Sequence, residues 1–101
     1  MLSRIAESLF WIGRYLERAE DTCRIVEVHL QLLIDDPSVD SDAAAARLLA
    51  VMGSTLEPSE DADSNDVVMA QLCWDVDSPC SIAAAIGGAR ESARRARETI
   101  S

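Results

Sequence analysis

The chain contains no lysine, a single histidine and only four aromatic residues among 101. With so few aromatics, any core has to be built from Leu, Ile, Val and Ala. Long apolar runs are also missing. Uncharged stretches such as residues 80–89 fall far short of the ~20 residues that span a bilayer. No transmembrane helix is expected, and Glu7 and Arg14 break up any secretory h-region. The three cysteines, Cys23, Cys73 and Cys80, are odd in number and form no C-x-x-C. That excludes a disulfide scaffold or a zinc ribbon and points to a reducing cytoplasm. A Glu-x-x-His di-iron motif is absent, because residue 26, three before His29, is valine. Neither G-x-G-x-x-G nor a P-loop occurs, so neither a metal nor any other cofactor is expected.

The formal charge is −9, and it is uneven. Residues 35–79 hold one arginine against eleven acids, whereas residues 80–101 hold four arginines against two acids. Nucleic acid and anionic membrane are disfavoured as partners, since both need a basic face. The use of arginine as the only cation is mostly a matter of composition, although guanidinium forks also suit bidentate pairing with carboxylates.

Helical periodicity is what the chain does have. Ile5, Leu9, Ile12, Leu16, Ala19, Cys23, Val26, Leu30 and Leu33 recur at alternating spacings of four and three, which predicts one long amphipathic helix. Ser3 is a candidate N-cap, and Asp35-Asp36-Pro37 ends the run. On this reading Cys23 is a small buried hydrophobe, while His29 lies beside the seam at an interface or the surface. About 31 residues of helix would be roughly 46 Å long. A second helix is predicted over about residues 43–52, capped from Asp40, Ser41 or Asp42 and stopped by Gly53. Residues 54–65 read as an exposed acidic loop. A short third helix follows over about 66–74, with Ser64 or Asn65 as cap.

The last helix starts after Cys80 or Ser81, with a seam of Ile82, Ile86, Ala89, Ala93, Ala96 and Ile100. Gly87 and Gly88 inside it each cost about 1 kcal/mol of helix propensity, which is tolerable where another backbone passes closely. No strand-like alternation is present. The fold class is all-α: an antiparallel helical bundle with one long N-terminal helix, two short helices and a C-terminal helix. Residues 1–101 read as one domain. Because the last seam still runs at Ser101, the sequence reads as the N-terminal part of a longer protein.

Candidate chemistry sits on the first helix among Arg14, Glu17, Arg18, Glu20, Asp21 and Arg24. Arg14–Glu17 and Glu20–Arg24 are favourable helix pairs, but Glu17–Asp21 and Arg14–Arg18 are like-charge neighbours. Such neighbours persist when a third group sits between them. The last helix offers Arg90, Glu91, Arg94 and Arg97. Matching the two seams sets Glu91 against Arg14 and Arg94 against Glu17, with inverted signs. An inter-helical arginine–carboxylate network is therefore expected, weighed against two separately solvated faces. In a catalytic version Glu17 is the general base, and Arg14, Arg18 and Arg94 hold an anionic peptide.

The opening residues 1–20, MLSRIAESLFWIGRYLERAE, with their Glu17-Arg18 pair, resemble the start of the bacterial alpha-E domain. Ser81-Ile82, the ARESAR run at 89–94 and Arg97 are similar to that family's later S-I and A-R-E-N-A-R-x-x-R stretch. Ser92 stands where the family usually has asparagine. The resemblance implies an all-helical domain of a larger protein, encoded beside or fused to ATP-grasp and transglutaminase-like proteins. It implies an accessory or interaction module of a peptide-ligation or peptide-modification system; the alternative is an enzyme domain acting on an anionic peptide. An ATP-grasp protein is the implied partner. The apolar sides of a ~46 Å helix exceed what one shorter helix covers, so the chain is expected to form a two-fold dimer. Sedimentation at high micromolar concentration should show that dimer, and a monomer would contradict it.

Overall fold

The computed structural model describes residues 2–54 and 63–100, without the side chains of residues 2, 99 and 100. Four helices follow one another: α1 (Leu2–Asp35), α2 (Ser41–Val51), α3 (Ser64–Met69) and α4 (Ile82–Ile100). A π-helical turn, Ala70–Trp74, extends α3. The described residues contain no strand. The polar loop expected at 54–65 falls largely on residues 55–62, outside the described residues.

Local chemistry accounts for the helix ends. Helix α1 already includes Ser3, which is therefore not its cap. At the other end the Asp36 carboxylate accepts from the Ser38 amide at 3.1 Å and the Ser38 hydroxyl at 2.5 Å. Those bonds hold the Asp36 carboxyl below its usual range, the side-chain bond contributing most. Asp40 caps α2 by accepting from the Asp42 and Ala43 amides. Gly53, at φ +79°, closes the same helix in a Schellman turn: the Ser54 amide donates to Leu49 and the Gly53 amide to Ala50. Helix α3 is capped by Asp63, one or two residues before the expected positions. It reaches Trp74 as predicted, but by changing hydrogen-bond register, with the Asp75 amide donating to the Ala70 carbonyl at 2.8 Å.

Helices α1 and α4 pack antiparallel. Tyr15 meets Gly88 near the middle, Ser8 shares a groove with Ser92, and Arg18 shares another with Cys80. Residues covered along α1 are Ile5, Ser8, Ile12, Tyr15, Ala19, Thr22, Ile25, Val26, His29, Leu30 and Leu33. Those on α4 are Ile82, Ala85, Ala89, Ser92 and Ala96. Most of each expected seam is right, Leu30 included, and the rest lies one residue away. Leu9, Leu16 and Cys23 are exposed, as are Ile86 and Ala93. Cys23 is thus not the buried hydrophobe expected, whereas His29 is buried. The reason is size. Helix α4 presents Ala, Gly and Ser, which let α1 approach closely, and Ser8 suits that contact better than Leu9 beside it.

The remaining core lies at one end of the rod. Val26 of α1, Ala45 and Leu49 of α2, Val68 of α3 and Leu72 of the π-turn form it, with Leu30, Leu48 and Met52 packed around them. Two hydroxyls tie this end together. Ser64 donates to the Asp42 carboxylate, and Ser54 to the Gln71 side chain. Ser81, 1% exposed, donates to the Asp75 carbonyl at 2.6 Å and accepts from the Ala84 amide at 3.0 Å. It thereby closes the turn and caps α4. The molecule measures 55 × 26 × 16 Å, and its long axis is essentially the ~51 Å of α1.

The two glycines of α4 differ. A Cβ on Gly87 meets nothing within 4 Å, but one on Gly88 would lie 2.6 Å from Cε1 of Tyr15. The close approach is that of an aromatic ring, not a backbone. Gly87→Ala should raise stability by about 0.5–1 kcal/mol through helix propensity. Gly88→Ala should lower it by about 1–3 kcal/mol, because the ring must leave its seat. Thermal and denaturant unfolding of the two variants measures the contrast.

Candidate functional site

The charged residues of α1 and α4 make their ion pairs mainly along each helix. Arg14 lies 3.8 Å from Glu17, and Arg24 pairs with Glu20 and, at 4.0 Å, with Asp21. On α4 Arg94 grips Glu91 as a fork, with Nη2 donating to Oε1 at 2.9 Å and Nε to Oε2 at 3.2 Å. Arg95 approaches the same carboxylate at 3.6 Å. The hydrogen bonds from Arg94 hold the Glu91 carboxyl below its usual range, and the Glu91 carboxylate raises the Arg94 guanidinium.

The inter-helical pairing of Glu17 with Arg94 is corrected by this geometry. Seam matching aligned the two helices in parallel, whereas they run antiparallel. With Gly88 opposite Tyr15, Arg94 stands level with the first turns of α1, about two helical turns from Glu17, or roughly 11 Å. Glu17 pairs with Arg14 instead, and its side chain is 68% exposed. Arg90 and Arg97 also face outward. Arg97 lies in the last turn of α4, where a cation complements the helix dipole.

Glu17 and Arg18, adjacent in sequence, are about 100° apart around the helix. Arg18 turns toward a small depression of about 160 Å³ formed with Met52, Gly53, Ser54, Pro79 and Cys80. It stands over the C-terminus of α2, where helix carbonyls favour a cation, and beside the turn that starts α4. Glu17 turns outward. The pair thus reads as one residue for the joint between α1, α2 and α4, and one for solvent or a partner.

Two larger depressions flank this region. One, about 850 Å³, opens between the start of α1 and the end of α4 and is lined by Arg4, Ser8, Trp11, Ser92 and Arg95. Trp11 there stacks edge-on with Phe10 and lies 6.0 Å from the Tyr15 ring. The other, about 460 Å³, lies between α1 and α2. Ile25, Val28 and Leu32 in the second lie off the heptad seam, and their spacing already marks a further apolar side of α1; only the packing of α2 shows that this side forms a groove. Among the described residues no three His, Cys, Asp or Glu gather as a metal site. Burial, and secondarily the nearby Cys23 thiol, push the Cys73 thiol up, so it stays protonated and unreactive. No helix among the described residues is long and apolar enough to cross a membrane.

These features define an all-helical scaffold with charged ridges and exposed apolar grooves. The model of the Alpha-E family, described as a predicted alpha-helical domain with a conserved ER motif, matches residues 1–101. The chain belongs to that family, and its only Glu-Arg dipeptide is Glu17-Arg18. Comparison with curated proteins and with solved structures gives no match.

A pH prediction follows from the α4 fork. Because the folded Glu91 pKa is depressed, its contribution to stability is present above the ordinary carboxylate pKa. It is lost as pH falls through the depressed value. An NMR titration of the Glu91 side chain should show it titrating below the ordinary glutamate range, and Arg94→Ala should return it toward that range.

Proposed function

We propose that the chain is a docking module, an accessory helical domain of a cytoplasmic bacterial ATP-grasp or transglutaminase-like peptide-ligation or peptide-modification system. One observation carries the docking part. Large apolar side chains stand uncovered along α1, with Leu9 and Phe10 each 59% exposed, Leu16 52% and Val28 69%. Uncovered large apolar side chains in this number on one helix point to interaction rather than to a purely water-facing helix. Its association with an ATP-grasp partner rests on the resemblance of the two sequence motifs to the alpha-E domain. Membership of the family is consistent with that reading.

A catalytic role for Glu17 gains little support from its surroundings. A general base at neutral pH is usually tuned by burial or by a like charge. Glu17 instead is exposed to water, 3.8 Å from the equally exposed Arg14. Arg14, Arg18, Glu20 and Asp21 on this reading shape a charged ridge flanking the apolar surface, which orients a partner more than it adds affinity. Self-association through the Leu9, Phe10 and Leu16 part of α1, away from Val28, is part of the proposal.

Co-purification of the full-length protein with its ATP-grasp neighbour tests the reading. Leu16→Glu should abolish the complex. Glu17→Ala should leave product formation within about twofold whenever the complex forms, a change below ~0.5 kcal/mol. Retained complex with product lost ~100-fold in Glu17→Ala would overturn docking in favour of catalysis.

A further inference from the structure

The groove between α1 and α2 has a composition unlike the rest of the surface. Ile25, Val28 and Leu32 line it from α1, and Ala44 and Leu48 from α2. Val28 is 69% exposed and Leu32 46%, so apolar side chains stand open on a chain of charge −9. Ile25, Val28 and Leu32 are spaced i, i+3 and i+7, the stripe by which one helix receives another. A cleft between two packed helices is also the seat that a third helix fills by laying its ridge into the groove.

Two further observations say what kind of helix fits. The first is Arg47, on the α2 wall. It is the one cation among the residues 35–79 that hold eleven acids. Its Nε donates to the Ala43 carbonyl at 3.4 Å, and no carboxylate of the described residues forms an ion pair with it. Arg24, on the opposite wall, is by contrast already held by Glu20. The second is His29, which also lines the groove. Its side chain is buried, the residue being 6% exposed, and its Nε2 has no hydrogen-bond partner. A buried, unpartnered ring nitrogen is costly, and native structures usually satisfy it.

We propose that this groove receives an amphipathic helix of a partner protein. The helix sets an apolar stripe on Ile25, Val28, Leu32 and Leu48 and one carboxylate against Arg47. Its outward face is neutral or basic, since the negative field of the chain repels an acidic one. His29, whose Nε2 lies buried beneath this groove, is covered further when the helix seats. The assignment rests on the docking reading above and gives that reading a location and a partner chemistry.

The test uses the whole chain and a synthetic amphipathic helix of ~16 residues. The probe carries leucines at i, i+3, i+4 and i+7, one glutamate beside them and lysines on the far face. A second peptide replaces that glutamate with lysine. Fluorescence anisotropy should give a Kd on the order of 10 μM for the first and at least about tenfold weaker binding for the second. Arg47→Glu should reverse the preference, and Val28→Asp should abolish binding while leaving the circular-dichroism melt unchanged. His29 is the only histidine in the chain, so its imidazole nitrogen signals report occupancy directly and should shift with the first peptide alone.

Equal binding of the two peptides, or undiminished binding to Val28→Asp, overturns the proposal. So does a chain dimer that Val28→Asp converts to monomer, because the groove is then filled by a second copy. If the ATP-grasp neighbour still co-purifies with Val28→Asp, the groove assignment fails while the docking reading survives. If the peptides discriminate as expected but no neighbour co-purifies, the groove stands and the ATP-grasp association falls.

Discussion

The close packing of α1 on α4 is the contact on which the rest of this structure depends. It is made of small residues, Ala85, Ala89, Ser92 and Ala96 on one side and Ser8, Ala19 and Thr22 on the other. Small residues bring helix axes together, and dispersion contacts grow as the gap closes. Tyr15 supplies the bulk at the centre, where Gly88 leaves room for its ring. Because this contact consumes one side of α1 and no more, the bulky apolar residues of that helix are left facing outward. The apolar surface that α1 leaves exposed is thus a direct consequence of which side the small-residue contact selected.

The second half of the architecture is a compact knot at the far end of α1. There α2, α3 and the π-turn bury Leu49, Val68 and Leu72 completely. Polar groups lock the knot: Asp40 and Asp63 cap helices, Ser64 meets Asp42, and Ser81 joins the last turn to α4. Arg18 stands where the knot meets the rod, beside Gly53 and Pro79. Its neighbour Glu17 faces water about 100° around the helix, so the two members of the motif stand on different sides of α1.

Charge behaves differently from apolar packing in this chain. The pairs Arg14–Glu17, Glu20–Arg24 and Glu91–Arg94 all satisfy themselves along a single helix. Exposed pairs of this kind add little to stability, since water screens them and long side chains lose freedom in forming them. They do set the sign and grain of the surface. On α1 they set arginines beside exposed apolar residues, and the acidic stretch 35–79 has Arg47 as its one cation.

Helix type, helix order and most helix ends were legible in the sequence, because periodicity, caps and the Gly53 stop are local signals. The all-α class and the long first helix follow from nothing more than the spacing of Ile5, Ile12, Ala19 and Val26. Which of two adjacent stripes is buried was not legible: Leu9 and Leu16 satisfy a heptad as well as Ser8 and Tyr15 satisfy the helix interface. That choice belongs to the opposing helix, whose Ala, Gly and Ser accept a close neighbour of matching size. The partners of Glu17 and Arg94 were hidden for a related reason. A seam repeats in both directions, so only the antiparallel packing of α1 on α4 decides which charged turns stand level and which never meet.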